Sequence, residues 1–335
     1  MGGAPSSSTD RTREYAFRLF LAWLNERYGR SFAPRGFDGD VWQAGDATAG
    51  EIAGAVAELS EADEALRQAQ DDAWRSRCGR LAARLDETRP GSFLLWQPPG
   101  AELPAGEPEE SDWVRRVVLA ASKLASGRGG EARLPVKLAL GKVRDEGGYA
   151  SVTGGLGRHW TDISARLQGS FYLDSRGLHR FTRDEAERQQ LFEHIGLLSR
   201  GLSAGDIVEF EHEDAWTVQR LPRGPAATGI TDGWAIAGCP PGFDPNDGGA
   251  VRRLLRRRLG EAAAALAGPD TAGAARALVL IGAYDYMENE NAGPSLRGFD
   301  PALAAPFDAI VLVADAEVRA LRLSRELAGP AGGTP

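Results

Sequence analysis

Apolar and polar positions follow two different periods along the first part of the chain. Between 12 and 28, apolar residues recur every three or four positions, which predicts an amphipathic helix. From 32 to 59 the pattern is weakly extended and predicts strands, and from 62 to 88 a sparse apolar stripe in a polar segment predicts a long helix. The chain is therefore expected to begin with a helix, an extended region and a second helix.

The rest of the chain continues to alternate between the two patterns. Short apolar runs bounded by Gly or Pro predict strands, and longer segments with a period near 3.6 residues predict helices. The predicted strands cover 92–97, 135–140, 149–153, 170–173, 207–211, 215–221, 234–237, 277–283 and 307–314, the predicted helices cover 112–124, 183–202, 247–267 and 317–327, and 285–291 is predicted as a loop. This succession predicts an α/β fold, with a mixed central sheet, flanking helices and a β-rich middle elaboration.

The same pattern divides the chain into regions. Residues 1–9 and 328–335 are rich in Gly, Ala, Pro and Ser, and we predict them to be disordered. Residues 10–130 are expected to form an N-terminal α/β part, and 241–327 a C-terminal α/β part that completes the same core. The β-rich region 131–240 is interpreted either as an elaboration of the sheet or as an inserted subdomain.

Composition and charge narrow the class of protein. The 335 residues are 42% hydrophobic and 26% charged, and no apolar run approaches the roughly 20 residues of a membrane span. The N-terminus lacks the apolar stretch of a secretory signal, and two isolated cysteines indicate no disulfide framework. We therefore expect a soluble, cytoplasmic protein with no membrane partner. The net charge of −8 argues against general coating of DNA but leaves room for a local basic surface.

Three carboxylates in the N-terminal part are candidates for a metal site. Glu14 lies in the predicted first helix, whereas Asp46 and Glu58 lie in the extended region that follows. A metal-dependent nuclease needs two or three converging carboxylates to hold a Mg²⁺ ion that activates water and neutralises phosphate charge. If the protein is catalytic, we predict that Asp46 and Glu58 bind Mg²⁺ and that Glu14 supports them. The alternative is that all three are solvated surface carboxylates.

The order of these residues resembles that of the restriction-endonuclease-like (PD-(D/E)xK) nuclease superfamily. A helix with an acidic residue is followed by a strand with Asp, a strand with Glu and a long helix, and the segments 277–283 and 306–313 resemble closing strands of such proteins. The resemblance implies Mg²⁺-dependent chemistry on nucleic acid. The sequence departs from the pattern because Gly45 rather than proline precedes Asp46, and no lysine closely follows Glu58. An incomplete or rebuilt site follows from these departures, so the sequence does not decide whether the protein is an enzyme.

The middle region holds the densest group of residues suited to phosphate binding or acid–base chemistry. One Gly-rich segment contains Arg158 and His159, and a second segment soon after it contains Asp174, His179 and Arg180. Because arginine binds phosphate through paired hydrogen bonds, we predict that Arg158, His159 and Arg180 contact phosphate. A His beside an Asp can also act as a general base, so an alternative is a small-molecule site around His159, Asp174 and His179. A tight turn and a hairpin without a functional role would explain the same residues.

An arginine-rich segment lies on the predicted helix 247–267. Its apolar positions recur at helical spacing, so the arginines fall on the opposite side. We predict that Arg252 and Arg256 meet a phosphate backbone or an acidic partner. The alternative is a solvated helix surface. Only three of the 39 basic residues are lysines, Lys123 among them, so arginine is abundant along the whole chain and a run of arginines needs no functional explanation.

Together these features favour a nuclease-like protein that acts on or senses nucleic acid, DNA or RNA, for instance in a bacterial defence or DNA-processing system. Two alternatives stay open at this stage. The chain could be a non-catalytic component of a protein complex, which the absence of the lysine and the acidic net charge favour, or it could be a small-molecule enzyme.

Overall fold

A computed structural model of the protein describes residues 8–38, 41–59, 65–98, 101–125, 129–178, 184–221, 232–238, 247–282 and 285–328. The chain divides into two compact units, the first formed by Met1–Ala132 together with Val218–Pro335 and the second by Arg133–Thr217. The second unit is therefore inserted into the sequence of the first.

The first unit contains most of the helices and strands. In chain order they are α1 (Ser8–Tyr28), β1 (Ala33–Asp38), β2 (Val41–Asp46), β3 (Gly50–Glu58), α2 (Ala65–Thr88), β4 (Phe93–Trp96) and α3 (Glu109–Ser122) before the insertion. After the insertion come β9 (Trp234–Ala237), α6 (Gly248–Ala265), β10 (Ala275–Ile281), α7 (Asp285–Arg297), α8 (Pro301–Ala304), β11 (Ala309–Ala314), β12 (Glu317–Leu323) and α9 (Arg325–Ala328).

The inserted unit contains the remaining elements. They are β5 (Gly130–Arg144), β6 (Gly148–Gly154), α4 (Trp160–Ser164), β7 (Gly169–Ser175), α5 (Glu185–Arg200) and β8 (Ile207–Arg220), so the first residues of β5 and the last residues of β8 belong to the first unit.

A six-stranded mixed sheet forms the centre of the first unit and confirms the predicted fold class. Its strand order is β1-β2-β3-β10-β11-β12. The three central strands β3, β10 and β11 are parallel, whereas β2, β1 and β12 each pair antiparallel with their neighbours. Strand β11 and the segment of β10 from Ala277 to Ile281 are continuous apolar runs because helices cover both faces of the sheet.

Helices pack on the two faces through separate clusters of apolar side chains. On one face α1 buries residues such as Phe17, Phe20 and Leu24 against Val279 and Val311. On the other face the buried members of α6 and α8 pack against the alternate residues of β10 and β11. This alternation follows from the two-residue period of a strand, which sends successive side chains to opposite faces.

A shorter parallel strand pair extends the first unit. Strand β9 pairs in parallel with β4, and the backbone N–H of Leu221, after β8, donates to the carbonyl of Ser92 beside β4. The predicted middle region, 131–240, had included β9, whereas the compact inserted unit ends at Thr217. The reason is that β9 packs on α1 and α2 of the first unit.

The inserted unit is a sheet whose strands follow the order β6-β7-β5-β8. Strand β7 pairs in parallel with β6 and antiparallel with β5. Along β7 the residues Phe171 and Leu173 are buried while Tyr172 between them is exposed, so the sheet has one buried and one open face. Helix α5 buries Leu191, Phe192 and Ile195, and the ring of its exposed His194 lies 5.4 Å from that of Phe210 in β8.

Several sequence-based predictions of elements are wrong at named residues. Ser8 and Thr9 belong to α1 and Ala328 to α9, so these residues are helical, and the remaining residues predicted as disordered ends lie outside the described part of the chain. The predicted loop 285–291 lies in α7, and most of the predicted last helix is strand β12, which pairs with β11.

Candidate functional site

Asp46 closes a tight connection between β2 and β3. Its carboxylate accepts hydrogen bonds from the backbone N–H groups of Thr48 (2.7 Å), Ala49 (2.9 Å) and Ser31, and from the Thr48 hydroxyl (2.7 Å). These donors, the Thr48 hydroxyl first, hold the pKa of Asp46 well below its ordinary value. The side chain therefore organises the hairpin, and its oxygens are already occupied.

Glu58 lies at the far end of β3 from Asp46. The antiparallel register pairs Asp46 with Gly50, and Glu58 is eight residues further along the strand. At about 3.3 Å per residue this corresponds to roughly 26 Å, which no single metal ion can bridge. The predicted Mg²⁺ site formed by Asp46 and Glu58 is therefore wrong, and the physical reason is the hairpin that places them at opposite ends.

Glu14 is buried on α1, with 1% of its surface exposed. Within the described residues neither of its carboxylate oxygens accepts a hydrogen bond, and Arg18 Nη1 lies 3.7 Å from Oε1. Burial raises the pKa of Glu14 to about 7, against the opposing charges of Arg18 and Arg11. Because Asp46 and Glu58 lie at opposite ends of β3, Glu14 cannot meet both of them, and the predicted catalytic set of three carboxylates is not assembled.

The described part of the chain contains no group of three or more His, Cys, Asp or Glu side chains that could hold a metal ion. The result agrees with the separation of Asp46 from Glu58. Catalysis through the predicted Mg²⁺ ligands has no geometric support.

Glu58 instead lines a cleft at the carboxyl ends of strands. Glu58, Ala237 and Ile281 are the last residues of β3, β9 and β10. They line a small cleft of about 20 Å³, which we call the Glu58 cleft, together with six further residues: Thr12 of α1, Trp74, Arg75 and Cys78 of α2, Ile236 and Gly238. Ligands of open α/β sheets commonly bind at this end of the strands.

Charged side chains of α2 support the Glu58 cleft. The Arg75 guanidinium bonds to Glu58 Oε2 at 2.8 Å and to Asp71 Oδ2 at 3.2 Å. Burial raises the pKa of Asp71 in spite of this pairing, and it also raises the pKa of the Cys78 thiol. Glu58 was identified from the sequence, whereas Asp71 and Arg75 were not, although their four-residue spacing on a helix is the signal for such a pair.

The arginine-rich helix α6 behaves as its sequence pattern predicts. Val251, Leu254, Leu255 and Leu259 are buried, and Asp247 caps the helix by accepting from two backbone N–H groups. The opposite side exposes four arginines, of which Arg257 lies 3.8 Å from Glu261. We call the other three, Arg252, Arg253 and Arg256, the arginine surface.

None of the three residues of the arginine surface forms an ion pair with a described carboxylate. Arg252 and Arg256 both lie over the ring of Phe299, at 5.3 and 5.0 Å from its centre, and Arg252 donates to the carbonyl of Gly298. By contrast, Arg258, two residues on, bonds to Glu261 at 2.6 Å. Stacking on Phe299 orients two guanidinium groups without neutralising them.

The predicted phosphate-binding residues of the middle region belong to the inserted unit. Arg158 is exposed, and His159 has its ring 5.8 Å from that of Phe192, with Asp162 Oδ2 at 3.9 Å from its Nδ1. Burial, together with Arg158 and Arg188, lowers the pKa of His159. Asp174, which the small-molecule alternative groups with His159 and His179, forms a paired interaction with Arg176. Arg180 and His179 lie outside the described residues.

Exposed aromatic side chains of the inserted unit were not predicted as functional. Tyr149, Trp160 and Tyr172 expose 54%, 47% and 37% of their surfaces, and the rings of Tyr149 and Trp160 are 5.8 Å apart. The ring of Tyr172 covers Gly141 of β5, where a Cβ atom would overlap it. We call these three residues the aromatic face; the alternation of exposed and buried positions along β7 is the signal that could have identified it.

Comparisons with protein-family models, with curated proteins and with solved structures found no match to this chain. The class of protein is therefore defined by its own fold and sites: a mixed α/β unit with a helix-borne arginine surface and a cleft at the strand ends, interrupted by an inserted β-rich unit. None of the helices among the described residues has both the length and the apolar character that crossing a membrane requires.

Proposed function

We propose that this protein binds nucleic acid through the arginine surface of α6, without the two-carboxylate metal chemistry of a nuclease. The observation that carries the proposal is that Arg252, Arg253 and Arg256 lie exposed on one side of one helix and have no described acidic partner. The whole chain has 47 acidic and 39 basic residues, yet among the described side chains no carboxylate pairs with this cluster. Phosphate oxygens are the acceptors that a guanidinium group pairs with most effectively.

The chemistry of the arginine surface favours the phosphate backbone rather than the bases. Arginines on an exposed helix side supply charge and hydrogen-bond donors, which position a protein on nucleic acid without reading its sequence. Three phosphate contacts would give a slope of about −2.7 for the logarithm of the association constant against the logarithm of salt concentration on duplex DNA. The affinity is therefore expected to be modest and strongly salt-dependent.

The test is a fluorescence-anisotropy titration of duplex and single-stranded DNA and RNA over a salt series. The variant Arg252→Gln/Arg253→Gln/Arg256→Gln removes the whole surface, and Arg35→Gln/Arg115→Gln/Arg176→Gln is the matched control. The three control arginines are exposed but paired with carboxylates, and the two variants change the net charge equally. We expect the first variant to abolish most of the salt-dependent binding and the control to retain it.

Two results would contradict the proposal. One is that the wild-type protein binds no nucleic acid at low salt. The other is that both variants lose binding to the same extent, because the effect would then come from net charge and not from the arginine surface.

A second candidate function is that of a component of a protein complex, and the aromatic face supports it. Tyrosine and tryptophan are enriched at the centres of protein interfaces, and six of the seven large apolar side chains that the described residues expose belong to the inserted unit. A photo-crosslinking residue in place of Tyr172 should capture a defined partner protein in cells, whereas the same residue in place of Leu119 on α3 should not. Equal capture at both positions, or none at Tyr172, would exclude this candidate.

A further inference from the structure

The ring of Tyr172 lies along the open face of the inserted sheet. Tyr172 of β7 pairs with Gly141 of β5, and the ring covers this glycine so closely that an added Cβ atom would overlap it. Gly141 is buried, whereas 37% of the Tyr172 surface stays exposed. One side of the ring therefore rests on the sheet, and the other side is available for stacking.

Other aromatic and hydroxyl side chains lie beside Tyr172 in register. Ser151 of β6 pairs with Tyr172, and Tyr149 pairs with Ser170, two residues before Tyr172. With strands about 4.8 Å apart and a rise of about 3.3 Å per residue, the Cα atoms of Tyr149 and Tyr172 are roughly 8 Å apart. Trp160 extends the row, because its ring lies 5.8 Å from that of Tyr149. The open face thus alternates aromatic rings with hydroxyl groups.

The charges of the open face are balanced. Strands β5 and β8 and the end of β7 contribute three cations and three anions: Lys137, Arg144, Arg176, Asp174, Glu209 and Glu211. Arg176 bonds to both oxygens of Asp174, and Lys137 Nζ lies 3.7 Å from Glu209 Oε2. Glu146, in the turn between β5 and β6, adds one more negative charge. A phosphate polymer needs a surplus of positive charge, so it is disfavoured here.

The polar groups between the rings also distinguish a hydroxylated ligand from a dry protein interface. Burial under a protein would remove water from the two ion pairs, which costs free energy, and charged residues are depleted at the centres of interfaces. Hydroxyl groups both donate and accept hydrogen bonds. A ligand rich in them therefore replaces that water by hydrogen bonds to side chains such as Asp174, Arg144 and Ser151.

We infer that the aromatic face binds an uncharged oligosaccharide chain. A sugar ring with equatorial hydroxyl groups presents C–H groups on its flat sides, and these pack on the electron-rich faces of aromatic rings. Sugar rings of one chain would stack on Tyr172 and Tyr149, while the hydroxyl groups at their edges bond to Ser151 and Ser170. All of these residues belong to the inserted unit and none to the arginine surface, so this inference is independent of nucleic-acid binding by α6.

The test uses cellohexaose, an unbranched and uncharged chain of six glucose rings, with oligothymidylate as the charged comparison. Each is titrated into the wild-type protein, and binding is followed by calorimetry and by the indole N–H resonances of the eight tryptophans. The Trp160 resonance is assigned from the spectrum of a Trp160→Phe variant. We expect cellohexaose to bind and to shift the Trp160 resonance with little dependence on salt, and oligothymidylate to leave this resonance unmoved.

Variants on and off the aromatic face locate the interaction. Tyr172→Ala should weaken cellohexaose binding about tenfold, the order of one aromatic stacking contact, and Tyr172→Phe, which keeps the ring, should retain it. Leu197→Ala on α5 is the matched control, because it removes an exposed apolar side chain of the same unit outside the aromatic face.

Three results would overturn the inference: no binding of cellohexaose, an unmoved Trp160 resonance at saturation, or equal affinities of Tyr172→Ala and Leu197→Ala for cellohexaose. A Trp160 resonance that responds to oligothymidylate alone would assign the face to nucleic acid instead. Capture of a protein at Tyr172 without any binding of cellohexaose would assign it to a protein interface.

Discussion

Replacement of Glu14 by glutamine tests the electrostatics of the buried helix α1. Glu14 is 1% exposed and its oxygens accept no hydrogen bond from the described residues, so burial raises its pKa from the ordinary 4.5 to about 7. The folded protein therefore binds a proton more tightly than the unfolded chain does. Stability contributed by the protonated group is fully present below pH 4.5 and is lost as the pH rises through 7.

The expected magnitude follows from the pKa difference. At about 1.36 kcal/mol for each pKa unit, the rise from 4.5 to about 7 corresponds to roughly 3 kcal/mol in the free energy of unfolding. Glutamine resembles the protonated acid in shape and carries no charge. Glu14→Gln should therefore match the wild type at pH 4.5 and exceed its stability at pH 8 by about 3 kcal/mol.

Urea denaturation of both proteins at intervals between pH 4.5 and pH 8.5 measures this difference. Glu26→Gln, an exposed change on the same helix, serves as the control and should have little effect at any pH. If Glu14→Gln is no more stable than the wild type at pH 8, or if its advantage does not change with pH, burial of the Glu14 carboxylate does not outweigh the charges of Arg18 and Arg11, and the prediction is refuted.

Two further predictions concern the hairpin and the packing of the sheet. Asp46→Ala should lower the urea midpoint at pH 7, because it removes the acceptor of four hydrogen bonds. The difference from the wild type should vanish as the pH falls through the lowered pKa of Asp46. An unchanged midpoint at pH 7 would contradict the structural role of Asp46. Gly54→Ala should cost about 1–3 kcal/mol, since the added Cβ would overlap the ring of Phe17, whereas Gly36→Ala meets no atom within 4 Å. Thermal denaturation of the two alanine variants compares them directly, and equal losses would show that the overlap is relieved without cost.

The parts of the fold that could be predicted are those in which the local pattern and the tertiary environment agree. The positions of strands β10 and β11 could be predicted because a short apolar run is buried on both sides only in the centre of a sheet that helices cover on both faces. Strand β12 was predicted as a helix, since its mixed apolar and charged residues fit either period, and only its pairing with β11 decides. Helix α7 was predicted as a loop because its polar sequence, with Pro294 inside, lacks a clear apolar stripe.

The candidate site could be predicted only in part from the sequence. Glu58 was selected correctly as a residue near a strand end, but its pairing with Asp46 was wrong because a hairpin separates the ends of β2 and β3 that carry them. The short turn Ala47–Ala49 between two extended segments was the available signal. The partners of Glu58 on α2 depend on how a helix packs over the sheet, which spacing along the chain does not specify.

The central claim is that the protein binds nucleic acid by its arginine surface and does not cleave it with metal held by Asp46 and Glu58. The most direct measurement follows the anisotropy of an end-labelled duplex over several hours after mixing with the protein, once in EDTA and once in Mg²⁺ at matched ionic strength. The account predicts a rise to the same stable plateau in both. A signal that decays only in Mg²⁺, and no longer decays with Glu58→Gln, would contradict it.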